Sequence, residues 1–499
     1  MADRPKLVLC VIDAMAPGML EQTVADGQAP VLAELMRRGT YVPDCVAAFP
    51  SVTPVCAASI VTGVGQERHH IPAMNWYHRE ERRYIEYGSS FRSAQRFGIA
   101  RQLTDTVYNM NGAHLAAESQ TIFEVLDDAD VRTAGTTYLM YRGRHRHEPQ
   151  RDSALTRLAS TLMRHPVMGP RELFYADVFA SRKTGCTSGL GMPGVRDQHS
   201  GCVGAYLAEH DLFDFLLLSL PDNDWYSHKH GPAGQVRSLA QADLQLARVM
   251  DAGDGVERFL DRHAVIVMAD HSQVPIEHAI ALQDELEDLG VLPPRPPARP
   301  KGREGRMAVC PSQRAAMVYL LSERRRESLR SDVIRRALQI DGVDLVMWLE
   351  RDEHGAPPRG VIARPSVGEL RFSSGGDTRD ARGARWSVDG ELEVLGASVS
   401  DGLLETPDYP DALARVWSAL LCPTSGEILL SAAGGYEFSD WGRQAHVGGG
   451  SHGSLHASDS LGALLFSGVQ LPEQPPAQWA IRDVAPLIAA HFGLASSGS

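Results

Sequence analysis

Apolar side chains follow two rhythms along this chain. Residues 7–12, 136–141, 212–220 and 264–269 form nearly unbroken apolar runs. They lack the alternation of a strand with one face in water, so each reads as a strand buried on both faces. Between them the apolar positions recur at helical spacing, as in residues 19 to about 38, closed by Gly39, and in residues 238–250. Continuous strands alternating with amphipathic helices predict an α/β fold, a three-layer α/β/α sandwich around a largely parallel sheet.

The rhythm changes after residue 276. Residues 277–289 look helical and stop at Gly290, and the proline-rich stretch 293–300 that follows fits neither a helix nor a central strand. Beyond it lie a strand at 315–321, a basic helix at 323–339, a strand at 343–349 and shorter segments near Val361 and Leu370. This second pattern predicts an inserted α+β cap domain over 277–424, within a core formed by 1–276 and 425–499. The core is expected to resume with 426–431 and the glycine-rich loop 448–453, and to close with an amphipathic helix at 483–492. No internal repeat is visible, and the final residues, Ser496-Ser497-Gly498-Ser499, read as a loose tail.

Composition narrows the function classes. With 43% apolar residues the 499-residue chain has ample material for a large core, and its net charge of −13 disfavours general binding to a nucleic-acid polymer or a membrane surface. No apolar run approaches the roughly 20 residues that cross a bilayer. The first apolar run ends at Asp13 with no small-residue cleavage site, unlike a signal peptide. The seven cysteines are scattered and form no Cys-x-x-Cys pair, so a reducing cytoplasm is the expected location.

Three of the apolar runs lead into acidic residues: Asp13, the Asp222/Asp224 segment, and Asp270. In an open parallel sheet the carboxyl ends of the strands share one edge, where ligand sites form. A single aspartate there is as well explained by a helix cap or a turn. Two of these three, however, come with histidines. Asp224 and His228 lie one helical turn apart, and His271 directly follows Asp270. His452 adds an imidazole among glycines that let the backbone fold closely around an ion. With 19 histidines in the chain, His456 and the weaker His446 compete for its place. Thr53, followed by Pro54, reads equally as a helix cap and as a nucleophile at a helix N-terminus, where anions are favoured.

The segments "VLCVIDAM", "FPSVTPVCAASIVTG", "PDNDWYSHKHGP", "VIVMADHSQ" and "GGSHGS", with "IRDVAPLIAAHFG" at the end, resemble the alkaline phosphatase superfamily, most closely its nucleotide pyrophosphatase/phosphodiesterase branch. The resemblance spans residues 7 to 493, the insertion apart. It implies two divalent metal ions, zinc first with manganese or iron compatible, and a threonine nucleophile. By that resemblance Asp224, His228 and His452 hold one ion, while Asp13, Thr53, Asp270 and His271 hold the other. Asn75 matches the asparagine that contacts a phosphate oxygen. Three departures stand out: Ile71 follows His70 where the family has glycine, Leu220-Pro221-Asp222 precedes the paired ligands, and Ser272-Gln273 follows Asp270-His271. Asp222 is thereby a competing carboxylate. A sulfatase-type centre is disfavoured, because Cys310-Pro311-Ser312-Gln313-Arg314 has the wrong order and Cys56 falls inside the helix.

The resemblance implies a metal-dependent phosphodiesterase or nucleotide pyrophosphatase acting through a phospho-threonine on a small phosphoester such as a nucleotide. A phosphomonoesterase, phosphonate hydrolase or phosphomutase would use the same scaffold, and a non-catalytic metal- or phosphoester-binding protein is the alternative of another class. For substrate contacts, Arg324-Arg325-Arg326 and the run Arg142 to His147 offer positive charge, but a solvated face explains each as well. Trp76, Tyr77 and Trp225 offer aromatic surfaces to a nucleobase or to the core. Oligomeric state is not readable from the chain.

Overall fold

A computed structural model describes residues 5–150, 164–176, 178–186, 196–295, 305–351 and 357–494. The later part of the proline-rich stretch and the C-terminal tail lie outside these residues. The first sheet has eight strands in the order Thr40–Val46, Leu461–Ser467, His263–Met268, Lys6–Ile12, Phe215–Leu220, Thr133–Gly135, Glu172–Tyr175 and Phe179–Ala180. Its five strands from His263–Met268 to Glu172–Tyr175 are mutually parallel, and antiparallel strands complete both edges.

The apolar runs are continuous because both faces of this sheet are covered. Leu7, Leu9 and Val11 join a core that includes the helices Thr53–Thr62 and Val484–His491, while Val8, Cys10 and Ile12 join the opposite core under Pro17–Ala25, Pro30–Arg38 and Gln235–Ala252. This is the three-layer α/β/α arrangement.

A second sheet of nine strands is almost wholly antiparallel. Its path runs Met307–Ser312, Ala315–Leu320, Ile428–Ala432, Val343–Glu350, Arg359–Arg364, Gly368–Arg379, Leu403–Glu405 and Ser398–Ser400, with Arg385–Gly390 paired to Gly368–Arg379. One face packs against the helix Arg326–Ala337, and the other merges with the first sheet's core through residues such as Cys310 and Met317. The strand Ile428–Ala432 corrects the sequence expectation: rather than reopening the first sheet, it pairs with both Ala315–Leu320 and Val343–Glu350. Its fully buried apolar pattern suits a central strand of either sheet.

Local differences have local causes. The helix expected over 19–38 is two helices, because Gly27 adopts a φ of 70° and Pro30 starts a new helix at its first turn. The strand expected at 136–141 lies earlier, at Thr133–Gly135, and the helix expected over 277–289 is a strand, His278–Ile280, followed by the short turns Leu282–Glu285 and Glu287–Leu289. Cys186 and Cys202, 16 residues apart and in no recognisable motif, form a disulfide, and the other five cysteines are free and buried. One pairing among the scattered cysteines was not expected from their spacing, and it weighs against the reducing compartment inferred from that scatter. Among the described residues no helix is long and apolar enough to cross a membrane.

Candidate active site

The parallel register brings the acidic strand ends together. Ile12 lies beside Leu220 and Val11 beside Met268, so Asp13, the helix Asp222–His230 and Asp270 emerge from one edge of the sheet. Asp224 and His228 share a face of that helix, with His228 Nε2 lying 3.2 Å from Asp224 Oδ2. His452 arrives from far along the chain because Gly450–Ser451 pairs with Val274–Pro275, just beyond His271. Small residues are required for this approach. A Cβ on Gly449 would lie 1.9 Å from the His228 carbonyl oxygen, and Gly453 holds a φ of 121°.

The side chains converge closely. His452 Nε2 lies 3.5 Å from Asp224 Oδ1, and His271 Nε2 lies 3.5 Å from Asp270 Oδ2 and 3.6 Å from Asp13 Oδ1. The rings of His271 and His452 stack with centroids 3.7 Å apart. Two groups of donor atoms result, Asp224 with His271 and His452, and Asp13 with Asp270 and His271, each within 4.8 Å. His271 is thus common to both groups, between the two sets of ligands that the family resemblance separates. Thr53 Oγ1 lies 3.3 Å from His271 Nε2. The cap reading of Thr53 does not hold: the helix begins at Thr53 itself, with Val52 as the flanking residue and no side-chain cap bond.

The donor set fits divalent cations. Each imidazole presents Nε2 to the cluster while Nδ1 faces a main-chain carbonyl: Gly450 for His228 at 2.7 Å, Ser51 for His452 at 2.7 Å, and Ser272 for His271 at 3.2 Å. Asp13 Oδ1, Asp270 Oδ2 and His452 Nε2 are buried with no hydrogen-bond partner, which is costly unless something else satisfies them. Burial, with repulsion from Asp270 and Asp224, pushes the Asp13 carboxyl well above its ordinary range. Burial and the neighbouring His271 push His452 well below its own. Crowded carboxylates with imidazole Nε2 atoms turned toward them form a cage for positive charge.

Other residues singled out in the sequence fall on both sides of this cluster. Asp222 forms an ion pair with Arg196 at 2.6 Å. His456 caps a short helix through Ser458, and His446 stacks on His228 with centroids 4.0 Å apart while its Nδ1 engages Glu437. Asn75 donates from its side-chain nitrogen to the Ile85 carbonyl at 2.8 Å, and its Oδ1 is buried without a partner. His70 adopts a φ of 67°, a left-handed backbone that non-glycine residues enter rarely. Arg142 is engaged by Glu124 and by main-chain carbonyls of Leu115 and Ala116, and Arg326 by Glu427, so neither faces the cluster. Trp76 and Tyr77 are core residues, whereas Trp225 is 48% exposed beneath the Arg196 guanidinium.

Three contributors were not among the site residues expected from the sequence. Gln273 donates to the Asp224 carboxylate, and Gln313, at the turn between Met307–Ser312 and Ala315–Leu320, brings its Nε2 to 3.5 Å from His228 Nε2. Arg314 donates its main-chain N–H to the His452 carbonyl and makes a buried ion pair with Asp459 at 2.9 Å. The Ser-Gln departure after His271 marked Gln273; nothing in the local pattern marked the turn.

An α/β/α sandwich with a carboxylate–imidazole cluster at its parallel strand ends is an arrangement suited to a hydrolase that works with divalent ions. Residues 7–352 match the model of the type I phosphodiesterase/nucleotide pyrophosphatase family, and the chain belongs to that family of phosphoester hydrolases. Its fold is similar to phosphonoacetate hydrolase from Sinorhizobium meliloti 1021 in complex with phosphonoformate, with a TM-score of 0.58 at 17% identity over 98% of this chain and 96% of that one. It is also similar to an inactive threonine-to-alanine variant of murine ectonucleotide pyrophosphatase/phosphodiesterase 5 in complex with AMP, with a TM-score of 0.59 at 11% identity over 99% of this chain and 96% of that one. Among curated proteins none matches the sequence.

Proposed function

We propose that the protein hydrolyses small phosphodiesters or nucleotide pyrophosphates, using Thr53 as a covalent nucleophile. The observation that supports this reading most is the placement of the Thr53 hydroxyl against His271, where two buried donor groups meet. In this reading Asp224, His228 and His452 hold one divalent ion, and Asp13, Asp270 and His271, with Thr53, hold the other; the mixed Asp/His donors suit zinc. Bound there, the ions lower the pKa of the threonine hydroxyl and neutralise charge on the phosphoryl oxygens.

Thr53 Oγ1 forms a bond to phosphorus, and the bond to the leaving alcohol or phosphate breaks on the opposite side, the departing oxygen taking the electron pair. Its position in the first turn of Thr53–Thr62 sets the positive end of the helix dipole near the developing charge. Water then cleaves the phospho-threonine, restoring the hydroxyl and releasing a phosphate monoester. The Asn75 amide gives one N–H to the Ile85 carbonyl and keeps a second, the one that would donate to a phosphate oxygen.

The test compares bis(p-nitrophenyl) phosphate with p-nitrophenyl phosphate, using protein loaded with zinc. The diester is expected to be the better substrate, and Thr53→Ala to lower kcat about 10³-fold or more with bound metal largely retained. Turnover surviving in Thr53→Ala removes the nucleophile from the proposal, and a monoester preference moves the reading to a phosphatase.

A further inference from the structure

The departure Ser272-Gln273, directly after the Asp270-His271 pair, places a carboxamide against the cluster. Gln273 is buried, and its Nε2 donates both to the Asp224 carboxylate and, at 3.2 Å, to the Asp224 main-chain carbonyl. The chain on either side is fixed: the Ser272 hydroxyl donates to the Leu461 carbonyl, and Val274–Pro275 pairs with Gly450–Ser451. The fit to that partner strand is close, because a Cβ on Gly450 would lie 2.5 Å from Gln273 Oε1. Gln273 therefore sits where the helix carrying Asp224 and His228 meets the segment that brings in His452.

The two sets of proposed ligands hold their carboxylates differently. Asp270 Oδ1 accepts main-chain N–H groups, from Ala14 at 3.2 Å and from His271 at 3.0 Å, which do not depend on a side chain. The Asp224 carboxylate lies against His228 and His452, both proposed as ligands of the same ion, and among the described residues its one other side-chain neighbour of this kind is Gln273. Without Gln273, only groups that bind the ion themselves would orient Asp224.

The carboxamide is satisfied at one end alone. Gln273 Oε1 is buried without a partner, and a half-satisfied buried amide is a poor source of stability. Its contribution lies in what the donor end holds. The opposite orientation would set Oε1 against the Asp224 carboxylate, oxygen to oxygen, so Nε2 is the atom that faces it.

We propose that Gln273 is a positioning residue, which orients the Asp224 carboxylate and so sets the affinity for the ion held by Asp224, His228 and His452, without acting on the ion at Asp13, Asp270 and His271. The inference rests on the two-ion reading above and adds a control that reaches one ion alone. Gln273 touches no reacting atom and acts through Asp224. Hydrogen-bond partners that orient a metal ligand typically account for about 10–100-fold in metal affinity.

The test starts from full-length, zinc-loaded protein and withdraws zinc with a chelator of graded concentration; the unfolding midpoint is measured once the metal is gone. Wild type is expected to release two ions per chain. Gln273→Met, which keeps the length and removes the donor, is expected to weaken one ion about 10–100-fold and the other less than about twofold. Its metal-free midpoint is expected to match the wild type, since the unsatisfied Oε1 leaves with the donor. His452→Ala identifies the ion, because it should abolish the one that Gln273→Met weakens. Turnover of bis(p-nitrophenyl) phosphate by Gln273→Met is expected to fall at limiting zinc and to return with excess zinc to within about threefold of wild type, at an unchanged KM. Should Gln273→Met fail to fold, Gln273→Leu takes its place. Equal weakening of both ions, weakening of the other ion alone, or no weakening overturns the inference. A lowered metal-free midpoint, or a deficit in turnover that excess zinc leaves in place, overturns it too by making Gln273 a structural residue. Wild type that binds fewer than two ions removes the two-ion reading, and the inference with it.

Discussion

The two sheets contribute to the site in opposite ways. The first sheet is parallel through its middle, so several strands end at one edge, and residues as far apart in sequence as Asp13, Asp224 and Asp270 meet there. The second sheet is antiparallel, its strand ends alternate between two edges, and it reaches the site through a single turn at Gln313 and Arg314. Parallel topology gathers like groups for shared chemistry. A hairpin tip delivers one or two side chains and fixes them by their backbone. In the proposed function, the first sheet supplies the reaction and the second shapes what surrounds it.

Variants at the two places should therefore fail differently. The largest effect is expected at the parallel edge: Asp270→Ala should remove at least one bound metal ion and lower activity about 10³-fold or more. Metal analysis and kinetics check this, and unchanged metal content would merge the two regions' roles. At the hairpin, Arg314→Ala leaves Asp459 buried without its partner, and equilibrium denaturation should show a loss of about 3–5 kcal/mol.

The smallest expected effect is at Glu86, in a hairpin whose Asn75 donates its main-chain N–H to Ser312 of the second sheet. Burial pushes the Glu86 carboxyl up to about 7, against the hydrogen bonds from Ser89 and Gly88 that favour its charged form. Its stabilising contribution is therefore complete below the ordinary value of 4.5 and is lost as pH rises through about 7. Thermal melts of Glu86→Gln should show less stability lost across that window, by up to about 3 kcal/mol.

The first sheet was legible because burial on both faces leaves unbroken apolar runs, and the acids stand where those runs stop. The histidines were legible through their spacing from Asp224 and Asp270. The sheet that takes up 426–431 was not legible, because a short buried strand carries no mark of the sheet that will receive it. The disulfide was missed since the folded positions of Cys186 and Cys202, rather than their spacing, bring them together. Gln313 lay beyond reach because an αL backbone at a hairpin tip depends on the flanking strands, and glutamine has no preference for it. The helical reading of 277–289 was overridden by pairing of His278–Ile280 with Tyr436–Phe438.

The place of Leu461–Ser467 within the first sheet also sets an order of events during synthesis. This strand lies between Thr40–Val46 and His263–Met268, both made well before it. At ~5–20 residues per second, the chain from 269 to 460 takes ~10–40 s to emerge. Throughout that interval an apolar strand edge waits without its neighbour, the kind of surface on which chains stick to one another. His452 emerges just before the strand that closes the gap, so the carboxylate–imidazole cluster and the first sheet are completed together.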